Sequence, residues 1–257
     1  MKKIIAVVLV LLSVGTITAQ EESGVSFRKH RLGVKIAPGV SYLNIDKSGQ
    51  ERDGLNYAFG YGLQYEYGFS KNFSISTGLL MNSFRGNVSY TDSLYFVFEK
   101  SISGQTLLDT ANQILGRKYT FKSVDIPIAL KLKTPEIGYL TYFAEFGTTL
   151  SIIYDSYTSK NLVIEDEGDV KTELSDDLTK IDANGDVNLF KGALNIGIGA
   201  EYNLVGNTSL LVGLNWNSAF TNILSKKSDE LYYSSSKEKF NQTVKSDYIS
   251  LTVGIQF

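Results

Sequence analysis

The sequence predicts an all-β protein, an eight-stranded antiparallel up-and-down transmembrane β-barrel with short periplasmic turns and long extracellular loops. Three observations point there. Apolar residues alternate with small or polar ones in eight separate stretches, the mark of a strand with one greasy and one wet face. The connections between these stretches are alternately long and short, and the chain stops on an aromatic residue, Phe257, at the end of KSDYISLTVGIQF. An open sandwich accounts for the alternation, but a sheet closed in a membrane accounts for the loop pattern as well.

Residues 1–19 read as a signal peptide. Lys2 and Lys3 precede an apolar run from Ile4 to Val14, and small and polar residues follow up to Ala19. The run is too short to span a bilayer as a stable helix, and no other stretch approaches the roughly 18 apolar residues that a spanning helix needs. A mature chain that crosses a membrane must therefore do so as a barrel. Residues 20–30 are polar, lack periodicity and read as a periplasmic lead-in to a barrel over 31–257.

The first strand is expected over 31–42, with Leu32, Val34, Ile36, Pro38, Val40 and Tyr42 outward. The second, 56–69, sets Tyr57, Phe59, Tyr61, Leu63, Tyr65 and Tyr67 against Ala58, Gly60, Gly62, Gln64 and Glu66. Glycines suit a narrow lumen, where small side chains fit. A tight turn over 68–72 leads into the third strand, 73–84, with Phe73, Ile75, Leu79 and Met81 outward. The fourth, 122–133, turns Val124, Ile126, Ile128, Leu130 and Leu132 to lipid, and Pro127 inside it removes a ladder donor, so a bulge or local break is expected there. The fifth strand (139–154), the sixth (191–204), the seventh (209–220) and the closing eighth (245–257) continue the alternation. Each is long enough to cross at a tilt, since roughly 9 to 11 residues suffice. An even strand number puts both termini on one side, which with the short turns is the periplasm in barrels of this kind.

Composition narrows the function classes. A net charge of -2 leaves no basic footprint, which argues against nucleic acid as a partner. The absence of Cys removes disulfides, thiolate nucleophiles and Cys-ligated zinc together. With 16 Tyr and 14 Phe against 3 Pro, the chain is rich in side chains that settle at a lipid–water boundary.

Several phrases resemble the PorT-like outer membrane β-barrel family: RLGVKIAPGVSYLNI at 31–45, VDIPIALKLK at 124–133, YFAEFGTTLSI at 142–152 and the terminal VGIQF. The likeness runs from Arg31 to Phe257. It implies a barrel in the outer membrane, among relatives of which some serve a protein-secretion apparatus, and it brings no catalytic or binding residue with it. It also implies that the last strand, through Val253, Ile255 and Phe257, is read by the barrel-assembly machinery.

Candidate chemistry sits first in the lumen, where Lys35, Glu66, Asp125, Lys131, Glu145 and Glu201 are expected to pair with one another as a structural polar network. Paired carboxylates can also form an acid–base couple. The sole imidazole, His30, stands ahead of the first strand at the end opposite the long loops, an awkward place for chemistry on the outer leaflet. In the acidic loop 155–190, Asp182, Asn184 and Asp186 alternate like calcium ligands, but Gly185 is misplaced and Ala193 stands where a calcium loop needs Glu, so a solvated loop is the expectation. Lysines 226, 227, 237 and 239 in the last long loop are expected to hold it to that acidic loop by facing charges. Leu107, Leu108, Ala111, Ile114 and Leu115 recur at helical spacing, and with Leu94 to Phe98 they form an apolar stripe that either caps the barrel mouth or docks a partner.

The reading that follows is a non-enzymatic anchored scaffold or docking component of a secretion or envelope complex. It needs no cofactor and no metal, and its partners are outer membrane lipid, the assembly machinery and an envelope protein. An enzyme acting on envelope lipid and a narrow channel are the alternatives.

Overall fold

The computed structural model describes residues 28–45, 49–102, 105–164, 171–173, 181–204, 208–233 and 238–257. Eight long strands make one closed wall: β1 (His30–Ile45), β2 (Asn56–Gly68), β3 (Phe73–Ile102), β4 (Gln105–Lys133), β5 (Leu140–Ile164), β6 (Phe190–Asn203), β7 (Ser209–Ala219) and β8 (Val244–Gln256). Each pairs antiparallel with the next, and β8 returns to β1 from Gly33↔Gln256 to Ile45↔Val244. The last residue completes the seam, because Phe257 N–H donates to Leu32 O (2.8 Å) and Leu32 N–H donates to Phe257 O (2.9 Å). Closure leaves no unpaired edge inside the bilayer, where an orphan backbone group has no water to bond.

The expected alternation is the wall itself. Leu32, Val34, Ile36, Tyr57, Tyr61, Leu63, Leu79, Ile128, Leu130, Phe146, Ile198, Leu214 and Leu251 are exposed on the outside, while Gln64, Glu66, Asn82, Asp125, Thr149 and Ser250 between them are buried in the lumen. The short connections are tight. Residues 69–72 close on Ser70 Oγ, which accepts from Asn72 N–H and Phe73 N–H, and Gly138 turns the β4–β5 link at φ 68°, a backbone shape that glycine adopts without strain. Residues 205–207 of the third short connection lie outside the described residues, as do residues 1–19, read above as a signal peptide, and most of 20–30.

Pro127 produces a local lapse without a bulge. The β3–β4 ladder runs to Thr77↔Ile128 and resumes at Leu80↔Asp125 in the same register, and the β4–β5 ladder passes through Pro127↔Thr149 unbroken. Pro38 does the same on the β1–β8 side between Ile36↔Val253 and Gly39↔Ser250. Each ring gives up a donor on one side only and leaves the register unshifted.

The long connections differ from expectation. Strands β3 and β4 do not stop at the membrane but run on together from Arg85↔Thr120 to Ile102↔Gln105, and β5 continues beside β4 to Ile114↔Val163. The helical stripe read into Leu107, Leu108, Ala111, Ile114 and Leu115 is strand, with Leu107↔Lys100 and Leu108↔Glu99 as partners. Pairing across the ribbon, with β-forming Leu94 to Phe98 opposite, overrides a short local periodicity. Lys227–Tyr233 adds a strand to β3 through Leu231↔Phe96, and Lys239–Asn241 lies beyond it. A sheeted head thus rises from one side of the barrel.

Beneath this head the lumen is apolar, which corrects the expectation of a polar centre throughout. Leu43, Phe84, Val88, Tyr90, Tyr119, Phe121, Ile153, Ile223, Leu224, Leu231, Phe240 and Val244 form one buried cluster that seals the long-loop end. Phe121 stacks between Phe84 (5.1 Å) and Tyr119 (5.8 Å). Aromatic rings bury large areas at low conformational cost, so a few of them fill the bore.

Lower in the lumen, glycine sets the fit. Phe143 is buried with its ring against Gly199 and Gly213, where an added Cβ at Gly199 would meet both that ring and the Val212 carbonyl. Gly199→Val is expected to lower barrel stability by about 1–3 kcal/mol through overpacking, measured by urea unfolding in detergent. An unchanged midpoint would mean that Phe143 is free to move aside.

Candidate functional site

The interior divides into four levels, counted from the short-turn end. At the mouth, Arg31, Glu66, Lys133, Glu201, Asn203 and Ser209 line an open cavity of about 610 Å³. Just above, Lys131 is fully buried and reaches three carboxylates: Glu201 at 2.6 Å, Glu66 at 3.2 Å and Glu145 at 3.6 Å. Lys133 pairs with Glu66 and, at 3.1 Å, with Glu201. Arg31 clasps Glu201 at 2.6 Å and donates to Ser209 Oγ at 2.9 Å, and Gln256 donates to Glu66 at 3.1 Å. Three acids therefore face three bases in one net. Removing charges from water is costly, and only such mutual contact offsets the loss.

The network forms because period-two alternation on five strands points these side chains to one axis. Lys131 and Glu145 are register partners, as are Arg31 and Glu66. Of the residues singled out in the sequence, Glu66, Lys131, Glu145 and Glu201 come together here. Lys35 and Asp125 belong to the next level, lining a cavity of about 50 Å³ with Asn82, Thr149, Asn215 and Thr252, room for a few waters. Asp125 accepts from Ser123 Oγ (2.7 Å) and Asn82 Nδ2 (3.1 Å). Arg31 and Lys133 also belong to the network, and the parity that picked out Lys131 extends to both.

Lys191 stands alone above that cavity. Its ammonium is buried with no hydrogen-bond partner among the described residues and lies 4.6 Å from the Phe84 ring and 5.2 Å from that of Tyr248. Cation–π attraction to the sealing aromatics partly offsets its desolvation. Sequence reasoning missed it, although Lys191 opens a strand whose alternate positions point inward.

The last level is the junction of the long loops with the apolar seal. Asp186 is buried and accepts from Ser228 Oγ at 2.7 Å, with Arg117 at 3.9 Å. Asn184 Oδ1 accepts from Ser156 N–H and Oγ, and Asp182 Oδ1 accepts from Asn184 N–H. The three oxygens that resembled calcium ligands thus serve three different partners, and no group of metal-ligating side chains occurs among the described residues. In this part of the acidic loop Asp182, Asn184 and Gly185 are exposed, while Ala183 and Asp186 are buried against the seal; residues 165–170 and 174–180 lie outside the described residues. The described junction with the last loop joins backbone pairs, Ser225 N–H to Asp186 O (2.7 Å) and Asn188 N–H to Ile223 O (2.8 Å), to side-chain bonds from Ser228 Oγ to Asp186 and from Asn188 Nδ2 to Asn222 O and Leu224 O (3.0 Å each), while Lys226 and Lys227 are exposed.

Tyr90 and Tyr119 sit in this seal with hydroxyls 3.4 Å apart. Burial raises both above the ordinary tyrosine value of 10.0. In the unfolded chain they ionise near that value, in the seal only at higher pH, so the fold holds the extra protons. Their stabilisation is therefore fully present below about pH 10 and declines as pH rises above it. Unfolding midpoints measured from about pH 8 to 12 are expected to fall above 10, and Tyr90→Phe with Tyr119→Phe should flatten the fall. An equal fall in the double variant would locate the alkaline transition elsewhere.

His30 lies at the short-turn end, exposed, its Nδ1 2.7 Å from the Tyr65 hydroxyl and its ring 5.2 Å from Tyr67. It touches none of the lumen carboxylates. Val253, Ile255 and Phe257 point outward on β8, with Ile255 and Phe257 well exposed.

Among solved structures, the chain is similar to Neisserial surface protein A (11% identity, TM-score 0.41, covering 90% of this chain and 98% of that one). It is also similar to Ail, the attachment invasion locus protein of Yersinia pestis (14%, TM-score 0.35, 90% and 100%), and to OprG from Pseudomonas aeruginosa (13%, TM-score 0.40, 89% and 94%). No curated protein matches it. The model of the outer membrane protein beta-barrel domain matches residues 18–189. That match covers more than half of the chain, and the closed wall is a β-barrel as its description says, so the chain belongs to the outer membrane protein beta-barrel domain family.

Proposed function

We propose that this outer membrane barrel is a non-enzymatic anchored scaffold whose sheeted head is presented outside the cell and docks an envelope or secretion component. In this reading residues 1–19 are a cleaved signal peptide, the short turns and both termini are periplasmic, and the barrel is of the PorT-like kind. Assembly machinery reads Val253, Ile255 and Phe257. The observation that carries the proposal is the head itself: β3, β4 and β5 continue past the wall as paired sheet and share a sealed core with the loops. An interior closed by aromatic side chains favours presentation over conduction. Carboxylates already held by Lys131, Lys133 and Arg31 are poorly placed to exchange protons with a substrate.

Because the chain has no Cys, each introduced one is unique. Lys226→Cys in the head is expected to react with an impermeant maleimide on intact cells, and Lys71→Cys in a short turn only after lysis. The reverse pattern would invert the barrel. Crosslinking from Lys226→Cys should then capture a defined envelope protein. A head that captures nothing, together with envelope lipid that changes on Glu66→Gln or Glu145→Gln, would replace the scaffold with an enzyme.

A further inference from the structure

The outward face of the wall changes character where β3, β4 and β5 leave the lipid. Below that point Leu79, Ile126, Ile128, Leu150 and Ile152 are exposed apolar side chains. Immediately above, three of the outward positions of β3 and β4 are cationic, among Ser83, Asn87 and Thr120. Phe84, Tyr119 and Phe121 are buried inward, so alternation turns Arg85, Lys118 and Lys122 to the outside. The register places Arg85 opposite Thr120, with Lys118 and Lys122 two residues to either side of that threonine. Diagonal neighbours in an antiparallel pair lie roughly 7–8 Å apart, so three long cationic side chains surround one small residue. Thr120 is itself buried although it faces outward.

Arg85 is exposed and Lys118 half-buried, and among the described residues neither side chain has an ion-pair partner. Lys122 shares its charge with Asp155 at 2.7 Å. Two uncompensated cations therefore stand at the height where apolar wall gives way to water. Near that height on the far side of the barrel, β6, β7 and the residues that flank them present Phe190, Trp216 and Phe220 instead. The patch is local to the side that carries the head. An amphiphile whose acyl chains lie on Leu79, Ile126 and Ile128 would bring its headgroup phosphates to Arg85, Lys118 and Lys122, with the sheet above as a wall for sugars.

We infer that Arg85, Lys118 and Lys122 form a recognition site for the phosphates of a glycolipid in the outer leaflet. The inference rests on the head facing outward, which maleimide labelling tests by itself, and is independent of the scaffold role. Charge-assisted hydrogen bonds from guanidinium and ammonium to phosphate supply the affinity, and screening by salt weakens it.

The test uses the purified, folded full chain in detergent doped with bisphosphorylated lipid A, with the same lipid A stripped of phosphate, or with phosphatidylglycerol. Bisphosphorylated lipid A is expected to raise the temperature at which the heat-modifiable band is lost, and its dephosphorylated form is not. Arg85→Gln with Lys118→Gln should weaken the apparent affinity roughly tenfold per cation removed. Lys226→Gln with Lys227→Gln, also exposed cations, should leave it unchanged. An equal shift with dephosphorylated lipid A or with phosphatidylglycerol would overturn the inference, as would an unchanged affinity in the folded Arg85→Gln/Lys118→Gln protein.

Discussion

Replacing Lys131 with Met is expected to destabilise the barrel by about 3–5 kcal/mol, the cost of leaving buried charge without its partner. Lys131 is fully buried and is the one cation within 4 Å of all three carboxylates of the network. Met nearly matches its length, so packing against the Phe143 ring, which the ammonium approaches at 4.1 Å, is kept while charge is lost. Glu66 and Glu201 retain Lys133 and Arg31, but Glu145 has no other cation within salt-bridge reach among the described residues. Urea unfolding followed by heat-modifiable mobility measures the loss. Adding Glu145→Gln to Lys131→Met should recover part of it, because the stranded charge is removed as well. A fall of less than about 1 kcal/mol would mean that water in the mouth solvates the acids and that the network is weakly coupled.

Truncating Phe84 to Ala is the second large effect, at about 3–5 kcal/mol. Phe84 is fully buried, stacks on Phe121 and provides the nearer ring over Lys191. Its removal leaves a cavity and withdraws the cation–π contact from an ammonium that has no hydrogen bond among the described residues. The membrane wall is built by other residues, so the variant should still fold into a barrel. The seal should loosen, with faster protease cleavage in the head and fluctuating conductance in planar bilayers where the parent is expected to show none. A Phe84→Ala protein as stable and as silent as the parent would show that the aromatic cluster is not what closes the bore.

These two sites differ in how far the sequence discloses them. Glu66, Lys131, Glu145 and Glu201 are legible because strict alternation in β2, β4, β5 and β6 fixes which side chains share the lumen, whatever the register. The head is not. Past Phe84 and Phe121 the chain has no lipid boundary to impose a period, and Leu107 to Leu115 fits a helical stripe about as well as the strand it forms. What decides is the ladder to residues 94–101, a pairing that one stretch of sequence does not contain. The same holds for Asp186, whose spacing from Asp182 suggests a cation loop until folding brings Arg117 and Ser228 to it. Lys191 shows a third case, a residue of correct parity whose aromatic surroundings come from β3 and β8.

The central claim is that the oily rows of the wall face lipid. The single tryptophan tests it without any substitution, because Trp216 lies on the outer face of β7 between Ile196 and Ile249 in the register and is 40% exposed. In vesicles containing lipids brominated along the acyl chain, the account expects strong quenching of Trp216, blue-shifted emission and little effect of aqueous iodide. Efficient quenching by iodide with none by brominated lipid would contradict it, placing that face in water and removing the membrane from the description of this fold.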